Sequence, residues 1–287
     1  MTVHLKNGSA IARRHHNQQS IVNYRSKLNW TSPGVYPDAR TLYVITPTYV
    51  RRSQKLEITR VSQTLMLIDN LHWIVIEDSK DKTAFITELV RDLPLPTTHL
   101  NIRHTAAESK LRLRGVTQRN LGLQWLLDNS VMDGVMYFAD DDNAYHRRLF
   151  DEIRTTEKIG LLPTGNMMKF GVSTPVVKQG KIVNFTGPWP GGRKWQVEMA
   201  SMAINIRFWR QRGMPKFTPT KTGYIETSML ENMNVTFDDL EPKAKNCSDI
   251  LVWHTKAANV RADPKYLKKA GFGKSNIENL LKAIQFN

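Results

Sequence analysis

Three consecutive carboxylates, Asp140-Asp141-Asp142, follow directly on the apolar run Val135-Met-Tyr-Phe-Ala139 and precede Asn143. Left bare in one cleft they would repel each other strongly. A bound divalent cation resolves that repulsion, and an all-oxygen site suits Mg²⁺ or Mn²⁺, which commonly bridge to substrate phosphates. The same residues also fit a solvated acidic turn capping the next helix. Nearby arginines favour the first reading. Arg112-Leu-Arg-Gly-Val-Thr-Gln-Arg119 carries Arg112, Arg114 and Arg119 into an expected helix start, where guanidinium and exposed N–H groups can meet diphosphate oxygens. Alone, this stretch reads equally as a solvated basic helix face. Glu226, in Lys221-Thr-Gly-Tyr-Ile-Glu-Thr-Ser-Met-Leu230, is placed to take a proton from a hydroxyl nucleophile or simply to favour a helix dipole. His254 closes Ile250-Leu-Val-Trp-His254 ahead of Thr255 and Lys256, a phosphate contact or an ordinary strand-end histidine. Trp189 and Trp195 flank Gly187-Pro-Trp-Pro-Gly-Gly192, either as sugar-stacking rings or as loop anchors.

These groups need a frame, and the spacing supplies one. Thr41-Leu-Tyr-Val-Ile-Thr46 reads as a buried strand stopping at Pro47. Val61, Leu65 and Ile68 mark a helix, His72–Ile76 a second strand ending on Glu77 and Asp78, and residues 82–92 another helix. A third strand is expected at Thr98–Ile102. A helix follows with Val116, Leu123 and Leu127 on one face, and then a strand at Val135–Ala139. Strands alternating with helices indicate an α/β layer structure with a largely parallel sheet. In such a sheet ligands bind beyond the carboxyl ends of the strands. Those ends carry Pro47-Thr48-Tyr49, Glu77-Asp78 and Asp140–Asn143. The second half is less regular, with apolar segments at Lys181–Phe185, Met199–Ile206 and Ile250–Trp253, and a short helix expected at Asn276–Ile284. It suggests a mixed sheet with long loops.

Composition narrows the classes. At 287 residues, 40% hydrophobic and 23% charged, the chain is globular and long enough for a real core. No run approaches the ~18 consecutive apolar residues of a spanning helix, and the single Cys247 excludes an intrachain disulfide framework or a cysteine-clustered zinc site. An excess of 41 Lys+Arg over 26 Asp+Glu, +15 in all, favours anionic partners without choosing among them. Neither a G-x-G-x-x-G fingerprint nor a P-loop follows a strand. Nucleic-acid modules are missing too, so no nucleic-acid partner is expected. Residues 1–38 read as a basic, flexible leader, with Arg13, Arg14, His15, His16, Arg25 and Lys27 punctuated by Pro33-Gly34 and Pro37.

Taken together, Thr46-Pro-Thr-Tyr49, Leu71-His-Trp73 with Glu77-Asp78, Arg114-Gly-Val-Thr-Gln-Arg-Asn120, Tyr137-Phe-Ala-Asp-Asp-Asp-Asn143, Asp239-Leu-Glu-Pro242 and Leu251-Val-Trp-His-Thr255 occur in that order. The pattern, covering residues 40–256, resembles the β-1,3-glucuronyltransferases of glycosyltransferase family 43. The resemblance implies a GT-A type nucleotide-diphospho-sugar transferase fold, with a UDP-sugar-binding α/β subdomain over 39–143 and an acceptor-binding subdomain with a C-terminal tail over 144–287. It implies Mn²⁺ as cofactor and transfer of glucuronic acid from UDP-glucuronate, with inversion, to the 3-hydroxyl of a galactose-terminated glycan. Carried over by matching motif, Pro47, Tyr49 and Asp78 would hold the uridine with Arg114 beside the nucleotide. Asp140 would touch ribose, Asp141 would face the donor sugar with Arg119, and Asp142 would ligate Mn²⁺. His254 and Lys256 would contact the donor, Trp189, Arg193 and Glu198 the acceptor, and Glu226 would be the catalytic base.

Departures from the family pattern fall mainly on the acceptor side. Ser173 stands where an acceptor-binding glutamate is expected, Thr222 replaces an arginine, Lys256 replaces another on the donor side, and Glu198 stands where Asp is common. Family members are Golgi type II membrane proteins that form homodimers; no anchor is read in this chain, and Asn-x-Ser/Thr sites at Asn7, Asn29, Asn184, Asn234 and Asn246 permit a secretory setting.

Overall fold

Runs of β-branched and aromatic residues in the first half become strands buried on both sides. In a computed structural model, which describes residues 40–111, 113–166, 171–187, 192–219 and 224–255, these are β1 (Leu42–Thr48), β2 (Leu71–Glu77), β3 (Thr97–Asn101) and β4 (Val135–Phe138). The leader, the tail beyond Thr255, and Arg112, Trp189, Thr222 and Lys256 lie outside the described residues. β1 pairs in parallel with both β2 and β4, and β2 with β3, as the strand–helix alternation predicts. The strand extends through Pro47, beyond the expected stop. Pairing with β4 has already ended at Ile45↔Phe138, so the missing proline N–H costs no ladder bond on that side.

Alternate residues of these strands face two apolar layers. Leu42, Val44, Trp73, Val75, Val135 and Tyr137 point to one, with Ile58, Val61 and Leu65 of α1 (Gln54–Leu65). Ile45, Ile74, Ile76, Met136 and Phe138 point to the other, with Val116, Leu123 and Leu126 of α2 (Val116–Asp128). Each fully buried aliphatic side chain contributes about 2 kcal/mol, so the sheet's register is strongly specified. Gly122 lets α2 ride close to β1, since a Cβ there would lie 2.7 Å from Ile45 Cγ2.

The second half divides its strands between two sheets. β6 (Ile159–Leu161), β10 (Met202–Asn205) and β11 (Leu240–Pro242) extend the first sheet to seven strands in the order β11-β6-β10-β4-β1-β2-β3, across the 143/144 boundary. A second, five-stranded sheet runs β5-β12-β7-β8-β9, from β5 (Ala144–Tyr145), β12 (Val252–His254), β7 (Thr164–Asn166), β8 (Val172–Lys178) and β9 (Lys181–Thr186). The apolar segment Met199–Ile206 begins as a 3-10 turn, Met199–Ser201, before β10. No helix among the described residues is long and apolar enough to cross a membrane.

Asp239 pins the β11 edge. It takes Lys158 Nζ at 2.8 Å and Arg212 Nη2 at 3.1 Å, and caps its turn through Thr236 N and Oγ1, both at 3.1 Å. These donors hold its carboxyl below the ordinary carboxylate value even though burial pushes the other way. Asp239→Asn should therefore lower stability by about 2 kcal/mol at pH 7. Because the folded-state value is depressed, the difference between wild type and variant is full above about pH 4 and fades as pH falls through the folded-state value. Urea unfolding of both proteins across that range checks it.

Candidate active site

The carboxyl ends of β1, β2 and β4 meet around a cleft of about 240 Å³ lined by Pro47, Tyr49, Asp78, Arg114, Arg119, Asp140, Asp141, Asp142 and His254, with Thr48, Gly115 and Gln118. The strand order 3-2-1-4 makes this the point where connections diverge to opposite sides of β1, the usual crevice for a ligand. His254 arrives from the second sheet: β12 pairs with β5, the strand that follows the Asp triplet. Its Nδ1 donates to Asn143 Oδ1 at 3.0 Å, since a carbonyl oxygen can only accept.

The three carboxylates meet different fates. Asp140 pairs with Arg119. Asp141 is buried and takes a two-pronged contact from Arg51, Nη1 to Oδ2 at 2.8 Å and Nη2 to Oδ1 at 2.7 Å, plus Thr48 Oγ1 at 2.6 Å. Burial pushes its carboxyl above the ordinary value, against the pull of Arg51 and Thr48. Arg119 thus pairs with Asp140, and Asp141 faces Arg51. Asp142 remains. It is half-buried, no described side chain donates to its carboxylate, and burial with the charges of Asp140 and Asp141 pushes it up to about 6.

That is the signature of an oxygen waiting for positive charge. A divalent cation at Asp142 would relieve the repulsion, and a hard oxygen donor suits Mn²⁺ or Mg²⁺. Among the described residues no group of three or more His, Cys, Asp or Glu side chains could hold an ion, so an ion here would rest on Asp142 together with oxygens of a bound diphosphate.

Arg119 is buried because it lies on the inward face of α2 beside Gly122 and Leu123, which settles the alternative of a solvated helix face. Gly115 precedes the helix with φ 77° and approaches Arg119 so closely that a Cβ would sit 2.6 Å from its Nη1. The guanidinium carbons of Arg51 and Arg114 lie 4.6 and 4.4 Å from the centre of the Tyr49 ring. Glu226 begins α3 (Ile225–Asn232). Burial raises its carboxyl, its own backbone N–H, Arg119 and Arg193 pull it down, and Asp140 pushes it up again. Base candidate and Asp triplet therefore share one electrostatic neighbourhood. On the acceptor side, Arg193 is buried with its guanidinium 5.9 Å from the Tyr224 ring, and Ser173 donates to Glu198. Trp195 is wholly buried against Phe185 and Phe237, so it is a core anchor and not a sugar platform.

The Glycosyltransferase family 43 model matches residues 61–258. The chain belongs to that family. Galactosylgalactosylxylosylprotein 3-beta-glucuronosyltransferase S of Drosophila melanogaster is 38% identical over 239 residues, 81% of this chain and 58% of that protein. The chain thus spans little more than half of that relative's length. Galactosylgalactosylxylosylprotein 3-beta-glucuronosyltransferase 1 of Rattus norvegicus is 40% identical over 248 residues, 81% of this chain and 74% of the rat protein. Among solved structures, Staphylococcus aureus TarS 1–349 in complex with UDP-GlcNAc has TM-score 0.48 at 14% identity, covering 80% of this chain and 64% of that one. So distant a likeness says nothing of the reaction. The α/β, GT-A type fold expected for a family 43 chain is the one observed.

Four site residues carry no signal in the sequence. Arg51 looks like a loop cation, and Arg60 like one of a solvated helix face. Yet Arg60 Nη2 reaches Asp142 O at 2.8 Å, Asn143 O at 3.2 Å and Thr255 Oγ1 at 3.3 Å. Glu108 is wholly buried and receives Thr117 N at 2.9 Å and Thr105 N at 2.9 Å. His104 holds Asp78. Since Arg51 bridges Asp141 and Glu57, Arg51→Ala leaves two buried carboxylates unpaired. A loss of about 3 kcal/mol at pH 7 is expected, shrinking as pH falls and Asp141 protonates. Arg51→Lys, a point charge without the fork, should recover part of it. Chemical denaturation at two pH values reads both.

Proposed function

We propose that this family 43 chain transfers glucuronic acid from UDP-glucuronate to the 3-hydroxyl of a terminal galactose on a glycan, with inversion and with Mn²⁺ as cofactor. The observation that carries the reading is the convergence of Tyr49, Asp78, Arg114, Arg119, Asp140, Asp142 and His254 on one strand-end cleft, with Glu226 in Coulombic reach of Arg119 and Asp140. The names of the relatives supply the sugar and the galactose-ended acceptor. Residues 39–143 supply the donor side and 144–287 the acceptor side. A Golgi-lumenal setting and a homodimer belong to the same reading.

In this mechanism Tyr49 and Asp78 seat the uridine, and Asp140 touches the ribose. Arg193 and Glu198 orient the acceptor, with Trp189 beside it. Glu226 takes the proton from the acceptor hydroxyl as its oxygen attacks the anomeric carbon in line. The bond to the diphosphate oxygen breaks on the opposite face, and UDP departs with the electron pair. Arg114, Arg119, His254 and Lys256 meet the charge growing on it. Mn²⁺ held by Asp142 would add Lewis-acid neutralisation of the diphosphate. UDP leaves readily enough that no second, acidic carboxyl of the glycosidase kind is needed. Burial raises the Glu226 carboxyl and so strengthens it as a base, while Arg119 and Arg193 pull it back.

A second reading, UDP binding without efficient transfer, rests on Ser173, whose hydroxyl donates to Glu198 where the family pattern has a glutamate.

UDP release from UDP-glucuronate across a panel of galactose-ended acceptors, with EDTA and acceptor-free controls, separates the two. Acceptor-dependent, EDTA-sensitive release is expected; Mn²⁺-dependent UDP binding with no release would favour the second reading. Glu226→Gln should cut transfer by about 10³-fold and spare UDP binding. Because the base works deprotonated and its carboxyl is raised, the acid limb of kcat should lie above about pH 4.5 and vanish in that variant's residual rate. Asp142→Asn should abolish Mn²⁺-dependent UDP binding in calorimetry.

A further inference from the structure

Asp78 sits at the end of β2 with its backbone N–H tied to Thr48 O at 2.8 Å, facing a cleft rich in guanidinium groups. A lone carboxylate there would be drawn to whichever cation came nearest. It is held instead by one residue on the connector after β3. His104 N donates to Oδ1 at 2.9 Å, and His104 Nδ1 lies 2.7 Å from Oδ2. Both oxygens are thereby fixed in direction, yet each keeps a further lone pair for a ligand. The connector is itself anchored. Thr105 and Glu108 cap each other, through Thr105 N to Glu108 Oε2 at 2.9 Å and Glu108 N to Thr105 Oγ1 at 3.2 Å. Glu108 Oε1 then takes Thr117 N at 2.9 Å in the first turn of α2. His104 is thus held from the helix that carries Arg119, while its own ring stays largely outside the core, 44% exposed.

We infer that His104 is a positioning residue for nucleobase recognition, setting the Asp78 carboxylate so that it accepts the single ring N–H of a uracil-type base. The inference rests on the donor-site reading of Asp78. A fixed carboxylate accepts from the uracil N–H, but meets a lone pair where cytosine carries its unprotonated ring nitrogen, and so selects between the two pyrimidines. In His104→Ala the backbone bond to Oδ1 survives while Oδ2 loses its partner, so the carboxylate can turn toward the guanidinium groups. Asparagine at this position keeps a short side-chain donor.

Calorimetric Kd values for UDP and for CDP, with Mn²⁺, on wild type, His104→Ala and His104→Asn test this. Wild type should prefer UDP by about tenfold or more. His104→Ala should weaken UDP by about fivefold, leave CDP nearly unchanged and so narrow the preference. His104→Asn should restore most of it. A merely structural histidine would lower the unfolding temperature and weaken both nucleotides alike. That outcome, or an Ala variant that binds UDP as wild type does, overturns the inference and leaves the donor-site reading standing. A wild-type chain that binds neither nucleotide removes that reading and the inference with it.

Discussion

Like charges at the end of one strand set the terms for everything around them. Asp140, Asp141 and Asp142 follow β4 after the single residue Ala139 and crowd three carboxylates into one cleft. Two are neutralised from opposite sides, Asp140 by Arg119 from α2 and Asp141 by Arg51 from the loop after β1. The third is raised by burial and by its two neighbours, and His254 and Arg51 offset this only in part. Asp142 is thus the carboxylate of the three that no described side chain pairs with.

The supports of the triplet are as specific as the triplet. Arg60 clasps the carbonyls of Asp142 and Asn143, and Thr255 Oγ1 also donates to Asp142 O. Tyr145 OH reaches Asp140 O at 2.8 Å. Three elements therefore converge on the backbone of this loop: α1, β5 and the end of β12. Backbone carbonyls held by charged or hydroxyl donors resist displacement, so the carboxylates are aimed by their main chain and need not be ordered by a ligand.

Much of this was legible in residue order, and the reasons for the rest are physical. The parallel core announces itself because strands buried on both faces read as unbroken apolar runs, and strand-end polar residues then mark the cleft. Glu198 and Arg193 enter as acceptor-side candidates, and Ser173 as a departure, through the family pattern alone. The short strands β5 to β7 carry too few residues for a period to show. Arg51 and Arg60 escape because a cation that binds carbonyls or carboxylates far along the chain looks, in sequence, like any surface cation; separations of 90 and 82 residues give no local trace. Adjacent carboxylates on a turning backbone point in different directions, so the partner of each is decided by the local path.

Glu226 lies far along the chain from the triplet, and its placement depends on apolar packing. Ile225, Met229 and Leu230 of α3 join the same buried cluster as Val116, Leu123 and Leu126 of α2. Thr227 Oγ1 fastens α3 to Trp195 O at 2.7 Å. Next to Arg119, Asn120 makes two bonds with the backbone of Phe217, each 2.8 Å. The Phe217 ring meets Phe138 edge-on at 5.0 Å, two residues before Asp140. One continuous cluster thus sets Glu226, Arg119 and the carboxylates relative to one another. Close-packed interiors transmit displacement and do not absorb it. A shift at Phe217 or Trp195 would therefore move Glu226 relative to the triplet.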